Sequence, residues 1–180
     1  MKSKLTVVSR FSILIIAAAS LSFAGLAMGR SPWAHPTHTV TLGGTASSLS
    51  PKDKTFMKKA AKGGIMEVAM GKLADQNGQS EDVKSFGKRM VTDHSKANEE
   101  LKSIAEKKGV KLPSKEPSET WSSDKAYMNM MVKDHEKDLA EFQDEATNGS
   151  DPDVKKFAED TAKVVQEHLD LAKQTQSKLQ

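Results

Sequence analysis

Residues 77–86 read NGQSEDVKSF and residues 148–157 read NGSDPDVKKF, so the second stretch repeats the first after 71 positions. Asn-Gly is a typical stop for an α-helix, because both residues tolerate the backbone conformations of a helix C-terminus. The Ser80 or Asp151 that follows, next to acidic residues, is typical of a helix N-cap. Each stretch therefore predicts a helix that stops, a short loop and a second helix.

The repeat extends into the helix before each loop, because Phe56-Met57 corresponds to Tyr127-Met128 at the same displacement. No segment has the alternating pattern of a β-strand. Two short-looped hairpins joined by a longer connection predict an all-α fold, a ferritin-like antiparallel four-helix bundle built from two duplicated αα-hairpins. The predicted helices run from Pro51 to about Gln76, from the Ser80 cap to Lys108, from a start between Glu119 and Asp124 to Asn148, and from Pro152 to the C-terminal region.

The N-terminal segment is predicted to be a targeting signal outside the fold. Lys2, Lys4 and Arg10 precede an uncharged apolar run over residues 11–27, and small residues near its end suit a signal peptidase. An uncleaved anchor is the alternative, because the run is near the lower limit for crossing a bilayer. The predicted domains are a signal peptide at 1–29, a flexible linker at 30–50 and the four-helix domain at 51–178. In either case the protein is exported, to the periplasm or the exterior.

Composition limits the classes of partner and chemistry. The three basic residues of the leader account for the net charge of +3, since the remaining 24 Lys and Arg balance 24 Asp and Glu. A neutral mature chain has no electrostatic footprint for nucleic acid, and it retains no membrane span once the leader is cleaved. The absence of cysteine excludes disulfides and thiol nucleophiles. Protein partners and a homo-oligomer stay open.

Four polar residues interrupt the apolar faces of the predicted helices, one on each helix. Steps of three and four residues keep one helix face inward, and these steps reach Glu67, His94, His135 and His168. Three imidazoles and one carboxylate are a ligand set that suits one transition-metal ion such as Fe, Zn or Cu, and also Ni. The sequence therefore predicts these four residues as candidate metal ligands.

The alternative interpretation is a buried polar layer that only fixes helix register, with the carboxylate and the imidazoles satisfying one another. Depth along the bundle bears on the choice. Counted from the two Asn-Gly loops, His94 and His135 lie level, Glu67 lies one turn nearer and His168 one turn farther. At a rise of ~1.5 Å per residue this spread is roughly 10 Å. One ion would then reach three of the residues more easily than four.

Catalysis is not predicted. A di-iron bundle needs Glu-x-x-His motifs, and the residues three before the histidines are Val91, Val132 and Val165. The chain has no Gly-rich phosphate loop and no nucleophile elbow, so no catalytic residue is assigned. Asp93 and Glu167 adjoin histidines, and they are interpreted as surface charges or partners of the ligands.

The helix motifs resemble the bacterial domain of unknown function 4142 family over about residues 55–173. The segments that carry the resemblance are Gly64 to Ala74, Arg89 to Asn98 (RMVTDHSKAN), Tyr127 to Glu136, and Glu167 to Leu169. The resemblance implies a ferritin-like bundle exported by bacteria, of a kind often given an outer-membrane label. It also implies that Glu67, His94, His135 and His168 are signature positions.

Together these observations predict an exported bundle that binds a transition metal for storage, buffering or stress protection. The alternative is a non-catalytic envelope protein with a structural or interaction role, whose His/Glu cluster is only a polar network. A metal-dependent oxidase or peroxidase is a third, weaker interpretation.

Overall fold

The computed structural model describes residues 49–179 as four α-helices without a strand in that range. The predicted signal peptide and all but the last residues of the predicted linker lie outside the described residues. The helices confirm the all-α prediction, and their ends agree closely with the helix signals of the sequence. They are α1 Pro51–Asn77, α2 Glu81–Lys108, α3 Asp124–Asn148 and α4 Pro152–Ser177.

Local capping explains where most of these helices begin and end. Ser50 and Asp53 form a reciprocal capping box at the start of α1, and Asp151 accepts hydrogen bonds from two backbone N–H groups of α4. Gly109 ends α2 with a φ of 66°, a left-handed conformation that favours glycine. The N-cap Ser80 of α2, by contrast, makes no side-chain capping hydrogen bond.

The start of α2 is held by α3, which shows how the two hairpins are arranged. Asp124 at the start of α3 accepts hydrogen bonds from the backbone N–H groups of Gln79 and Ser80 in the first loop (residues 78–80). At the opposite end of the bundle, Asp53 accepts from the backbone N–H of Ser150 in the second loop (residues 149–151). The two loops therefore lie at opposite ends, and the two hairpins are inverted relative to each other.

The connection between the hairpins, residues 109–123, makes this inversion possible. A helix the length of α2 spans about 42 Å, and fifteen extended residues reach about 50 Å. The connection is long enough to return along the bundle, so α3 starts beside the first loop and runs parallel to α2. Val110 and Leu112 pack against the core near the second loop, and Trp121 packs against the core near the first.

A polar layer divides the core into two apolar clusters. The cluster near the second loop contains the mutually packed rings of Phe56, Phe142 and Phe157. The cluster near the first loop is rich in methionine, whose flexible side chains fill irregular gaps; its buried members are Met70, Ala74, Val83, Phe86, Met90, Tyr127, Met128, Met131 and Ala172. Glu67 and the three helical histidines are buried between the two clusters.

A buried carboxyl near the second loop gives the bundle a pH-dependent stability. Glu145 is buried beside Asp53, and burial together with the Asp53 carboxylate raises the pKa of Glu145 to about 7. Burial would also raise the pKa of Asp53, but hydrogen bonds from Ser150 and Ser50 outweigh it and lower that pKa to about 2. The proton of this pair therefore belongs to Glu145.

The Glu145→Gln variant is expected to be more stable than the unmodified protein above pH 7. The folded pKa of about 7 exceeds the unfolded value of 4.5. Between these two values the folded state binds more protons than the unfolded state, so stability falls as pH rises from about 4.5 to 7. The free energy of unfolding falls by at most about 3 kcal/mol over this range. Denaturant unfolding at pH 5 and pH 8 measures it, and Asp144→Asn on the exposed face is the matched control. A Glu145→Gln variant with an unchanged pH slope would contradict this assignment.

Candidate metal centre

The structure places all four predicted residues at similar depths in the bundle. Glu67 lies ten residues before the end of α1, His94 thirteen after the start of α2, His135 eleven after the start of α3 and His168 nine before the end of α4. Because the hairpins are inverted, these four counts all run from the same end of the bundle. The spread is about 6 Å. The predicted spread of roughly 10 Å was wrong, because it placed both loops at one end.

The three imidazole rings face one another in the centre of the bundle. The His94 and His135 ring centroids are 5.8 Å apart, those of His94 and His168 5.2 Å, and those of His135 and His168 5.5 Å. One nitrogen from each ring lies within 4.8 Å of the other two. Glu67 lies at the edge of this group, with Oε2 2.9 Å from His94 Nδ1 and Oε1 3.6 Å from His135 Nε2.

One nitrogen of each imidazole ring forms a hydrogen bond to an oxygen acceptor. His94 Nδ1 pairs with Glu67, His135 Nδ1 lies 2.9 Å from the carbonyl oxygen of Met131, and His168 Nε2 lies 2.8 Å from Asp93 Oδ2. Carbonyl and carboxylate oxygens only accept hydrogen bonds, so each of these three nitrogens carries the proton. The tautomer and orientation of every ring follow from its partner.

The other nitrogen of each ring has no such acceptor. His94 Nε2, His135 Nε2 and His168 Nδ1 are buried and have no hydrogen-bond partner in the described part of the chain. In a neutral imidazole such a nitrogen is an acceptor with a free lone pair. Buried acceptors without partners are costly. A cation at their common centre would satisfy all three at once.

The charge states suit a cation as well. Burial lowers the pKa of His135, and burial with the charges of His94 and His135 lowers the pKa of His168 to about 4, although Asp93 opposes this shift. Burial alone would raise the pKa of Glu67, but His94 and the other histidines outweigh it and lower that pKa. The Glu67 carboxylate raises the pKa of His94 against the effect of burial. Near pH 7 the group thus offers two neutral imidazoles and an ionised carboxylate, and His94 would release its proton when a metal ion binds.

Asp93 supports the group from the side of α2 and α4. Its Oδ2 accepts from His168 Nε2 and from Arg89 Nε at 3.2 Å, and Arg89 in turn donates to Glu167 at 2.6 Å. The sequence interpretation of Asp93 was a surface charge or a partner of a ligand, and in the structure Asp93 accepts a hydrogen bond from His168. Asp93 adjoins His94 but orients His168, because successive helical residues point about 100° apart.

Two residues near the group were not found from the sequence. Asp138 lines the cavity beside Glu67, and burial and the Glu67 charge raise the pKa of Asp138 to about 7. The hydroxyl of Tyr127 is buried and has no hydrogen-bond partner between residues 49 and 179, and burial and the Glu67 charge raise its pKa. The repeat offered a signal for Asp138, because a displacement of 71 positions carries Glu67 onto it.

Comparisons with solved structures show the fold in proteins of low sequence identity. A candidate spore coat protein from Bacillus halodurans C-125 superposes with a TM-score of 0.62 at 14% identity, over 74% of this chain and 92% of the other. A two-domain protein from Anabaena variabilis ATCC 29413, with DJ-1/ThiJ/PfpI-like and ferritin-like domains, gives 0.58 at 14%, over 75% and 40%. A DUF305 fragment from Deinococcus radiodurans gives 0.56 at 12%, over 72% and 98%. These similarities support the ferritin-like fold alone.

The sequence itself matches one family over most of its length. Residues 39–175 match the family described as Domain of unknown function (DUF4142). No curated protein matches the chain. Between residues 49 and 179, none of the helices is both long enough and apolar enough to cross a lipid bilayer.

Proposed function

The chain belongs to the DUF4142 family, and from that premise we propose that it binds one transition-metal ion in its buried histidine cluster. Because the description of the family gives no activity, the cluster alone supports this proposal. One ion per chain, enclosed by four helices, fits sequestration or buffering of a metal in the exported compartment that the leader sequence predicts. It does not require catalysis.

A single observation carries the proposal: three buried rings on three helices each bring one nitrogen within 4.8 Å of the other two, and each has a nitrogen without a hydrogen-bond partner among residues 49–179. Atoms within 4.8 Å of one another lie at most about 2.8 Å from their common centre, and metal–imidazole bonds are about 2.0–2.1 Å. Inward movements of less than about 1 Å per ring would close this gap. The ion would be Zn, Fe or Cu, because a set dominated by nitrogen suits these metals and not Ca or Mg.

Glu67 has two possible contributions to such a site. Its Oε2 orients His94, which is the usual role of a carboxylate behind a metal-bound histidine. Its Oε1 has no hydrogen-bond partner and lies 3.6 Å from His135 Nε2, so it is near enough to become the fourth ligand after a small rotation. In both cases the carboxylate offsets part of the positive charge of the ion.

One observation favours the alternative of a structural polar layer. The Glu67–His94 pair joins α1 to α2, and the Asp93–His168 pair joins α2 to α4, so the cluster already cross-links helices. Such pairs fix helix register in other bundles. Under this alternative the protein is a non-catalytic envelope component. What this alternative leaves unexplained is that all three rings have a buried nitrogen without a hydrogen-bond partner among residues 49–179.

Elemental mass spectrometry tests the proposal on protein purified without a His tag from the exported fraction. We expect close to one Zn, Fe or Cu per chain, and loss of that metal in the His94→Gln/His135→Gln double variant. Glu100→Gln, which removes an exposed carboxylate from α2, is the matched control and should retain the metal. Adding metal at 100 times its Kd should stabilise the unmodified protein by about 2.7 kcal/mol.

The proposal is contradicted if the protein carries no metal and gains no thermal stability from added Zn²⁺, Cu²⁺ or Fe²⁺. The cluster would then be a structural layer.

A further inference from the structure

A cavity of about 320 Å³ leads from the surface between α1 and α3 to the histidine cluster. Exposed Lys59, Lys62 and Lys137 line its outer end, and buried Glu67 and His94 line its inner end. Gly63 of α1 leaves open space in the wall, whereas the side chain of Asn98 packs against Gly64. This is the side of the bundle on which Glu67 can be reached from the solvent.

The charges along the cavity change from basic to acidic with depth. At the outer end, Lys59 and Lys137 both pair with Glu141, at 3.1 and 3.8 Å, and Lys62 lies beside them, so the opening carries a net positive charge. Farther in, the half-buried Asp134 and Asp138 line the cavity, and neither has an ion-pair or hydrogen-bond partner among residues 49–179. At the inner end the buried Oε1 of Glu67 is unpartnered too.

We propose that this cavity is the access route of the metal ion, and that Asp138 and Glu67 form a transit site for a divalent cation before it reaches the histidines. The inference rests on the proposed function. A divalent ion that loses hydration water needs oxygen ligands in its place. Asp138 lies one turn from His135 along α3, towards the second loop, and supplies an unpaired carboxylate between the lysine-lined opening and the cluster.

The cleft on the opposite side of the bundle is a poorer route. It measures about 440 Å³ between α2 and α4 and reaches His94 and His168. The carboxylate nearest the cluster there, Asp93, already accepts from His168 and Arg89, and Glu167 accepts from Arg89. The carboxylate nearest the cluster on this side is therefore already neutralised by its partners, and Glu100, which also lines this cleft, is exposed on α2.

Stopped-flow absorbance with Co²⁺ as the probe tests the route on the purified protein. We expect Asp138→Asn to slow both association and dissociation of Co²⁺ by about tenfold, since local carboxylates accelerate cation capture by at least this factor. The equilibrium Kd should stay within about twofold, because a transit group lowers the barrier in both directions. Glu100→Gln removes one carboxylate from the other cleft and should leave both rates unchanged.

Gly63→Leu provides a second, independent test, because it obstructs the cavity without removing charge. A Cβ at position 63 would meet only Asp138 Oδ2, at 3.9 Å, so the side chain has room to grow into the passage. Slow loading of this variant, with an unchanged Kd, would support the route.

Two results would overturn the inference in distinguishable ways. If the unmodified protein binds Co²⁺ but Asp138→Asn and Gly63→Leu load at its rate, or Glu100→Gln is slowed as much as they are, the route is wrong while the metal site stands. If the unmodified protein binds neither Co²⁺ nor Zn²⁺ at equilibrium, the metal site and its access route fall together.

Discussion

The His135→Leu variant is expected to lose metal affinity by at least about 100-fold, since changes to the residues behind a metal ligand alone cost 10- to 100-fold. His135 is fully buried, and its Nε2 is one of the three ring nitrogens without a hydrogen-bond partner among residues 49–179. Its Nδ1 is fixed by the carbonyl oxygen of Met131, so the ring cannot turn away from the cluster without breaking that hydrogen bond. Leucine fills much of the same space but offers no lone pair.

The value of leucine at this position is that it separates the two interpretations of the cluster. A metal site predicts that the variant keeps its metal-free stability, because an apolar residue replaces a buried polar one, while the stabilisation by added Zn²⁺ disappears. A register layer predicts one change in stability, the same with and without Zn²⁺. Thermal unfolding of both proteins with Zn²⁺ and with a chelator measures the difference. Equal gains from Zn²⁺ in both proteins would exclude the cluster as the metal site.

Helix ends and site residues could be predicted from the sequence because their signals are local. The Asn-Gly stops and the Ser and Asp caps fix each helix within a few residues, and steps of three and four place one polar residue on each inward face. The direction of the second hairpin could not be predicted in this way. It depends on the path of residues 109–123 and on contacts such as Asp124 with the first loop, which join residues 45 positions apart.

The depth error and the missed residues have the same physical origin. Depth in a bundle depends on which ends of the helices lie together, and that is a property of packing between helices. Asp93 reaches His168 across 75 positions, and Asp138 borders Glu67 only because α1 and α3 enclose one cavity. Because the hairpins are inverted, the four residues that are staggered when counted from the two Asn-Gly loops lie in one layer of the bundle. Packing between helices therefore created the candidate site, whereas the local pattern only supplied its members.

The backbones of α1 and α2 approach each other closely at Gly71 of α1 and Gly87 of α2. A Cβ at Gly87 would lie 2.6 Å from the carbonyl oxygen of Gly71 and 2.8 Å from the Cβ of Ala74. A Cβ at Gly71 would lie 2.7 Å from the carbonyl oxygen of Gly87. Neither obstacle is a flexible side chain, so α1 and α2 would have to separate to admit a methyl group.

The Gly87→Ala variant is therefore expected to lower the free energy of unfolding by about 2–3 kcal/mol, the cost of an overpacked core. Alanine gains about 1 kcal/mol of helix propensity over glycine, and the clash must exceed this gain. Gly63→Ala is the matched control, since the space there is open and the same gain should appear as stabilisation. Denaturant unfolding of both variants without metal measures the two signs. A stabilised Gly87→Ala would mean that α1 and α2 separate at little cost, so that Glu67 of α1 is not held firmly against His94 of α2.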